Sequence, residues 1–233
     1  YGDRALVAGV DSWPGLPPVR FGSRPGCCVA ATDQFDITFE GRGGHAAKPH
    51  ETIDTTVMAA QAVLALQTIA ARNADPVEQI VVSVTAFETS SKAFNVIPQR
   101  VQMKGTVRTM SAEVRSLAEK RINEICNGIA ATFGGKANVT YHRGYPVMVN
   151  HDEQTEFAAD VARSVSGDCV EAPLVMGGED FAFMLEERPG AYILVGNGDT
   201  AAVHHPEYNF NDEAIPAGCS WWAGIVEQRM PAA

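Results

Sequence analysis

The sequence predicts an α/β domain that is interrupted by an inserted α+β domain. Between residues 32 and 146, candidate strands and helices follow the order β-α-β-β-α-β, the split βαβ pattern of a ferredoxin-like domain. Helices alternate with buried strands after this segment, whereas one apolar strand and a Pro- and Gly-rich stretch come before it. We therefore expect the domain boundaries to give segments 1–31, 32–146 and 147–233.

Periodicity assigns the elements of the inserted domain. Alternating apolar residues indicate strands, and apolar residues at three-and-four spacing indicate helices. Asp54 can serve the first turn of one helix, Ser111 can cap the other, and Gly134 and Gly135 end the second helix. The expected elements are strands at residues 35–39, 79–87, 101–110 and 137–142, with helices at 53–72 and from 111 to about 134.

The flanking segments supply too few strands for a complete α/β layer. We expect a strand within residues 4–10, a helix at 153–166, a strand at 192–195 and a last helix from about 213. The first residue is Tyr, and an apolar run follows within three residues. We therefore expect the chain to be a piece of a longer protein, and we expect this piece to lack much of the first half of the α/β layer.

Composition excludes several classes of function. The chain has 233 residues, 45% of them hydrophobic, and a formal net charge of −10. It is too apolar for disorder, no apolar run approaches the roughly 18 residues of a membrane span, and basic clusters that could bind nucleic acid or anionic membranes are absent. Five cysteines, an odd number in a chain of this size, predict reduced thiols and a cytoplasmic protein.

Two polar segments could carry chemistry. Residues 203–213 place a histidine pair and carboxylates on a loop after a buried strand, where α/β folds position their sites. This loop could bind a metal or could be a solvated polar loop. Residues 41–50 form a glycine-rich turn with two histidines, whose spacing is not that of a phosphate-binding motif; a plain strand-to-helix turn is the alternative.

Five motifs in one order make the sequence resemble the N-acyl-amino-acid amidohydrolases. This family includes hippurate hydrolases and aminoacylases and is related to dinuclear zinc carboxypeptidases. The resemblance covers practically the whole chain and implies a ferredoxin-like lid and dimerisation domain inserted into a metal-binding α/β domain. The motifs are GHAAKPH at 44–50, NVIP at 95–98, GTVRT at 105–109, MGGEDF at 176–181 and VHHPEYNFND at 203–212.

The resemblance implies roles for residues of the lid and of one turn. His45 matches a histidine that reaches the active site of the partner subunit and polarises the scissile carbonyl. Asn95 and Arg108 match residues that hold the carbonyl and the carboxylate of the substrate, which suits an amide and a guanidinium fork. Gly177 and Gly178 match a backbone turn that lines the substrate pocket. A homodimer formed through the lid and a small N-acyl amino acid substrate are implied by the same match.

The resemblance also implies metal ligands, with one departure. His204 matches the C-terminal metal ligand, and His205 is its neighbour rather than a second ligand. The segment GVDSWPG at 9–15 places Asp11 where this subfamily usually has a ligand histidine. A carboxylate oxygen is an acceptable ligand for zinc or manganese, so metal binding is expected to be altered in kind.

The ligand set of the family is incomplete in this sequence. Family members carry further ligands and a Glu-Glu pair in an N-terminal part, and the first Glu of that pair is the general base. Asp11 and His204 give at most two ligands, fewer than the three or four of a zinc site. The intact enzyme is expected to hold two divalent ions, zinc or manganese, while this chain alone is expected to be inactive. The alternative is a non-catalytic dimerisation or binding module.

Overall fold

The computed structural model describes residues 6–230 and divides them into two compact units. The inserted unit comprises residues 30–147 and 176–178, and the outer unit comprises residues 6–29, 148–175 and 179–230. Residues 4 and 5 of the expected first strand lie outside the described residues.

One turn belongs to a different part of the chain than the sequence predicted. Residues 176–178 were expected within segment 147–233, but they lie with the inserted unit. The reason is close packing, since a Cβ atom on Gly178 would overlap the side chain of Thr32. Only glycine allows this approach.

The described residues form twelve strands and five α-helices, with a short 3-10 turn at Pro49–Glu51 and a π-helical segment at Ile69–Asn73. In chain order they are β1 (Val7–Pro14), β2 (Phe21–Ser23), β3 (Gly26–Val29), β4 (Ala31–Glu40), β5 (Gly44–His45), α1 (Thr55–Leu66), β6 (Ile80–Thr89), β7 (Val96–Ile97), β8 (Arg100–Thr109), α2 (Ala112–Phe133), β9 (Lys136–Arg143), β10 (Met148–Asn150), α3 (Asp152–Ser166), β11 (Cys169–Glu171), α4 (Phe181–Glu187), β12 (Gly190–Gly198) and α5 (Ala214–Arg229).

The inserted unit is one antiparallel sheet covered by two helices. Its strand order is β6-β8-β4-β9, and α1 and α2 pack against the sheet and against each other. The core contains Phe35, Phe39, Met58, Met103 and Ile122, all essentially inaccessible to solvent. Alternation along β4 explains this burial, because every second side chain points to the same face of the sheet.

Local signals fix the helices of the inserted unit. The carboxylate of Asp54 accepts hydrogen bonds from the backbone N–H groups of Thr56 and Val57, at 2.8 and 3.3 Å, and so caps α1. The hydroxyl of Ser111 caps α2, which ends at Gly134 in the left-handed conformation. The single helix expected at 53–72 is wrong in detail, because α1 ends at Leu66 and a π-helical segment follows.

A buried ion pair ties the end of β9 to β4 and α2. The guanidinium of Arg115 donates to both carboxylate oxygens of Asp33, at 2.6 to 3.2 Å. The Tyr141 hydroxyl and the Gly144 N–H also donate to this carboxylate, at 2.8 and 3.0 Å. Burial alone would raise the pKa of Asp33, but these hydrogen bonds, led by that of Arg115, hold it below its ordinary value.

The outer unit contains a mixed sheet of strand order β1-β12-β2-β11 and a separate ribbon of β3 and β10. Strands β1 and β12 are parallel, with Asp11 opposite Leu194, so both strands end at the same edge of the sheet. The core between the sheet and helices α3 and α5 includes Phe21, Ile193 and Trp221. Between residues 6 and 230, no helix is both long and apolar enough to cross a membrane.

Candidate functional site

Asp11 lies near the carboxyl end of β1 in the outer unit. Its side chain is exposed, and its Oδ1 accepts a hydrogen bond of 2.7 Å from the N–H of Ser12. This bond uses one lone pair of one carboxylate oxygen, so the carboxylate keeps acceptor capacity for another ligand. Asp11 is therefore at an edge of the sheet with an available oxygen donor.

His204 lies on the loop that connects β12 with α5. It has a φ of 67°, in the left-handed region that residues other than glycine rarely adopt. Its exposed imidazole has no hydrogen-bond partner among residues 6–230, whereas the Nδ1 atom of His205 accepts a bond of 3.1 Å from the Glu207 N–H. The ring of His204, rather than that of His205, therefore has both nitrogen atoms available to a ligand, and it lies on a strained backbone position.

Hydrogen bonds from two places fix this loop. The buried Asn197 at the end of β12 donates to the Asn209 carbonyl at 2.9 Å and accepts from the Asn211 N–H at 2.8 Å. The hydroxyls of Ser12 and Tyr208 are 2.9 Å apart, which ties the loop to β1 beside Asp11. The sheet edge that carries Asp11 and the loop that carries His204 are therefore held to each other within the outer unit.

A tyrosine of β12 is hydrogen-bonded to a carboxylate. The Tyr192 hydroxyl donates to Glu179 Oε2 at 3.0 Å. Burial raises the pKa of Tyr192, and the negative charges of Asp11 and Glu179 raise it further. The hydroxyl therefore keeps its proton at every physiological pH.

His45 and Asn95 are neighbours in the inserted unit. Strands β5 and β7 pair with His45 opposite Val96, and the Ala46 N–H donates to the Asn95 carbonyl at 3.0 Å. The Nδ1 atom of His45 accepts from the Ala47 N–H at 3.1 Å. In the neutral ring the proton is therefore on Nε2, and this exposed N–H can donate to a carbonyl oxygen.

Arg108 lies on β8 of the same unit. Its guanidinium donates to the Thr106 hydroxyl and to the Val107 carbonyl, the latter at 3.0 Å. No carboxylate pairs with it in the described part of the chain. Since a guanidinium has five N–H donors in a fixed fork, several remain for an external carboxylate.

The turn with Gly177 and Gly178 also lies in the inserted unit, contrary to its expected position. Both glycines are exposed, and Gly178 packs against Thr32 as described above. The structure thus places four predicted segments, which contain His45, Asn95, Arg108 and this turn, in the inserted unit. Asp11 and His204 lie in the outer unit.

The donor types fit a divalent cation, but their number is small. A carboxylate oxygen and an imidazole nitrogen are both ligands that zinc and manganese accept. Among residues 6–230, however, the structure brings together no group of three or more His, Cys, Asp or Glu side chains that could hold a metal ion. Asp11 and His204 can therefore contribute to a metal site and cannot complete one.

Sequence reasoning missed the residues that support the predicted site. Asn197 orders the loop of His204, while Ser12 and Tyr208 join that loop to β1. Tyr192 was assigned only to a buried strand. A signal existed for Tyr192, because a polar aromatic side chain within a buried strand needs a hydrogen-bond partner.

Comparisons with known proteins agree with these observations. The family model described as peptidase family M20/M25/M40 matches residues 51–228. The N-acetyl-L-cysteine deacetylase of Bacillus subtilis is 35% identical over 209 residues, covering 90% of this chain and 50% of the relative. The hippurate hydrolase of Campylobacter jejuni is 34% identical over 228 residues, covering 96% of this chain and 59% of the relative.

A solved structure supports the same assignment. The YXEP protein of Bacillus subtilis, a dinuclear metal binding peptidase from the M20 family, superposes with a TM-score of 0.80 at 28% identity, covering 97% of this chain and 58% of that one. The chain thus spans between half and three fifths of the length of these relatives. The family match, which extends over most of the sequence, shows that the chain belongs to peptidase family M20/M25/M40.

Proposed function

We propose that this chain is part of an enzyme that hydrolyses the amide bond of N-acyl amino acids. The observation that carries the proposal is the placement of Asp11 and His204, two metal-ligand types, on a strand end and a loop that the Ser12–Tyr208 hydrogen bond joins. Relatives named as a hippurate hydrolase and an N-acetyl-L-cysteine deacetylase support this substrate class.

Asp11 and His204 would supply some of the ligands for two divalent ions, zinc or manganese. When bound, such ions would activate a water molecule for attack at neutral pH. The relatives are longer than this chain. We therefore propose that the remaining ligands and the general base belong to a part of the enzyme that corresponds to the unmatched residues of these relatives.

The inserted unit would act on the substrate as a lid. The Nε2–H of His45 is set by the Ala47 hydrogen bond to donate to the scissile carbonyl oxygen, where negative charge develops. The unpaired N–H groups of Arg108 suit the substrate carboxylate, and Asn95 beside His45 suits the carbonyl. The exposed backbone at Gly177 and Gly178 would line the pocket without a side chain in the way.

We also propose a cytoplasmic homodimer that forms through the inserted unit. All five cysteines are free thiols, as in a reducing compartment. Strand β6 pairs only with β8 in the described part of the chain and exposes Val81 and Phe87. An unpaired edge with exposed apolar side chains favours association with a second chain. Substitution Phe87→Lys should shift the mass in light scattering from dimer to monomer, whereas Phe210→Lys in the outer unit should not.

Hydrolysis by a longer protein tests the enzymatic proposal. In a chimera, the unmatched part of the Bacillus subtilis N-acetyl-L-cysteine deacetylase is joined to this chain. We expect the chimera to release amino acids from hippurate or N-acetylcysteine with added zinc or manganese, and His204→Ala to abolish this. Arg108→Lys should fold and should hydrolyse the substrates with a raised KM. This result, together with the loss of hydrolysis in His204→Ala, would agree with the two assigned roles. A folded, metal-loaded chimera without activity on either substrate would favour the alternative, a non-catalytic binding module.

A further inference from the structure

A half-buried hydroxyl near the start of β4 has no role in the fold. The backbone N–H of Thr32 donates to the Tyr145 carbonyl at 3.0 Å, whereas the hydroxyl of Thr32 has no hydrogen-bond partner among residues 6–230. A free hydroxyl offers one donor hydrogen and two acceptor lone pairs. Thr32 therefore keeps its side-chain hydrogen-bonding capacity for a ligand.

Two glycines bring bare backbone close to this hydroxyl. A Cβ atom on Gly178 would overlap Thr32 Cγ2 and would lie 3.0 Å from its Oγ1, and a Cβ atom on Gly144 would lie 3.3 Å from the same Oγ1. A larger side chain at either position would crowd the hydroxyl. The N–H groups of Gly177 and Gly178 have no acceptor in the described part of the chain. The turn thus packs on the methyl group of Thr32 and leaves further donors beside it.

Arg108 lies directly opposite Thr32 in the antiparallel pairing of β4 with β8. Opposite residues of such a pair point to the same face of the sheet, with Cβ atoms about 4.5–5.5 Å apart. The guanidinium is also drawn toward β4, because it donates to the Thr106 hydroxyl, which donates to the Asp33 carbonyl at 2.9 Å. The hydroxyl of Thr32 and the guanidinium of Arg108 are therefore neighbours on the sheet face that α1 and α2 do not cover.

We propose that Thr32 is a substrate-binding residue, and that its hydroxyl and the Arg108 guanidinium bind the same carboxylate, that of the amino-acid part of the substrate. This inference rests on the proposed function, in which Arg108 binds that carboxylate. A carboxylate has about four lone-pair sites, so it can accept from the guanidinium fork and from a hydroxyl together. Hydrogen bonds to a charged acceptor are about twice as strong as those between neutral groups.

The two branches of the Thr32 side chain can be tested separately. Thr32→Val keeps a methyl group against Gly178 and removes the hydroxyl, whereas Thr32→Ser keeps the hydroxyl and removes the methyl group. The matched control is Thr38→Val, because Thr38 is also half-buried on the same face of β4 but lies opposite Gln102 instead of Arg108. These three variants distinguish ligand binding from packing.

Titration of the 233-residue chain with hippurate, followed by nuclear magnetic resonance, tests the proposal without a metal and without an assay of activity. The Nε–H resonance of Arg108 and the amide resonance of Gly178 report binding. We expect Thr32→Val to raise the dissociation constant about tenfold or more, which is the loss expected for one hydrogen bond to a charged group. Thr32→Ser and Thr38→Val keep that hydrogen bond and should bind within about twofold of the wild type. Hippuramide, which has an amide in place of the carboxylate, should leave the Arg108 resonance unmoved.

The outcomes separate this inference from the proposed function. If hippurate moves the Arg108 resonance and binds Thr32→Val as tightly as the wild type, the role of Thr32 is wrong and the role of Arg108 stands. Equal weakening in Thr32→Val and Thr32→Ser would assign the effect to packing against Gly178 and would overturn the role of the hydroxyl. If hippurate does not move the Arg108 resonance, or if hippuramide binds equally well, both assignments fail.

Discussion

The two units differ in whether their polar side chains are already hydrogen-bonded within the same unit. In the inserted unit, the buried Asp33 carboxylate accepts hydrogen bonds from Arg115, Tyr141 and Gly144. In the outer unit, Asp11 and His204 are exposed, and the ring of His204 has no partner among the described residues. Asp33 therefore has a structural role, whereas Asp11 and His204 keep the capacity to bind something else.

Packing does not separate the two units. Each has an apolar core between a sheet and two helices, α1 and α2 in the inserted unit and α3 and α5 in the outer unit. Each also exposes large apolar side chains, among them Phe87 on β6 and Trp222 on α5. The units therefore differ in their polar groups rather than in their cores.

The largest expected effect is on the buried ion pair. Arg115→Ala leaves Asp33 buried without its main partner and should lower the free energy of unfolding by about 3–5 kcal/mol. Lys104→Ala, which removes an exposed partner 3.9 Å from Asp36, should cost less than about 1 kcal/mol. Urea denaturation followed by circular dichroism measures both. Equal effects of the two substitutions would contradict the assigned role of the buried pair.

Substitutions at two glycines should give the next largest effects on stability. A Cβ atom on Gly105 in β8 would overlap the ring of Phe35 and the carbonyl oxygen of Ser83, so Gly105→Ala should destabilise by about 1–3 kcal/mol. Gly128 lies on an exposed turn of α2 with open space around it, and Gly128→Ala should stabilise by about 0.5–1 kcal/mol. Thermal unfolding of the two variants should shift in opposite directions. A shift of both midpoints in the same direction would mean that the packing around Gly105 is looser than described.

Acid should remove part of the stability of the inserted unit. The pKa of Asp33 is lower in the folded chain than its ordinary value of 3.8, so the unfolded chain takes up the proton first as the pH falls. This contribution is fully present above pH 5 and is lost as the pH falls below about 4 through the folded pKa. Denaturation at pH 5 and at pH 3 measures the free energy of unfolding that is lost between the two pH values. This loss should be smaller in Asp33→Asn than in the wild type. An equal loss in that variant would assign the acid sensitivity to other carboxylates.

The smallest perturbation is chemical labelling of thiols. Cys126 is in the core of the inserted unit, where burial raises its pKa to about 12, whereas Cys219 is exposed on α5 of the outer unit. Since the thiolate is the reactive form, Cys219 should react with a disulfide reagent first and Cys126 only on unfolding. Loss of the fastest phase in Cys219→Ser checks this order, and rapid labelling of Cys126 in the native chain would contradict it.

The sequence predicted the inserted unit well because its signals are local. Alternation gave β4, and the caps at Asp54 and Ser111 marked the starts of α1 and α2. Short strands such as β2, β3 and β11 were missed, because three or four residues carry too little periodicity to be recognised.

The motifs predict His45, Asn95 and Arg108 as site residues, and these assignments stay predictions. The hydrogen bond that fixes the His45 tautomer comes from the fold of one turn, which the motifs do not record. The position of Gly177 and Gly178 was wrong because it depends on a long-range contact with Thr32, which no local pattern records.

We propose, as the family resemblance implies, that the metal ligand His204 and the carbonyl-polarising His45 of each active site come from different subunits of the homodimer. Mixing two inactive variants of the chimera, His45→Ala and His204→Ala, tests it most directly. Each mixed dimer would contain one site with intact His204 and the His45 of its partner. After verified subunit exchange, hydrolysis of N-acetylcysteine should recover to about a quarter of the wild-type rate, since half of the dimers are mixed and each has one working site. A mixture that stays inactive would contradict the account.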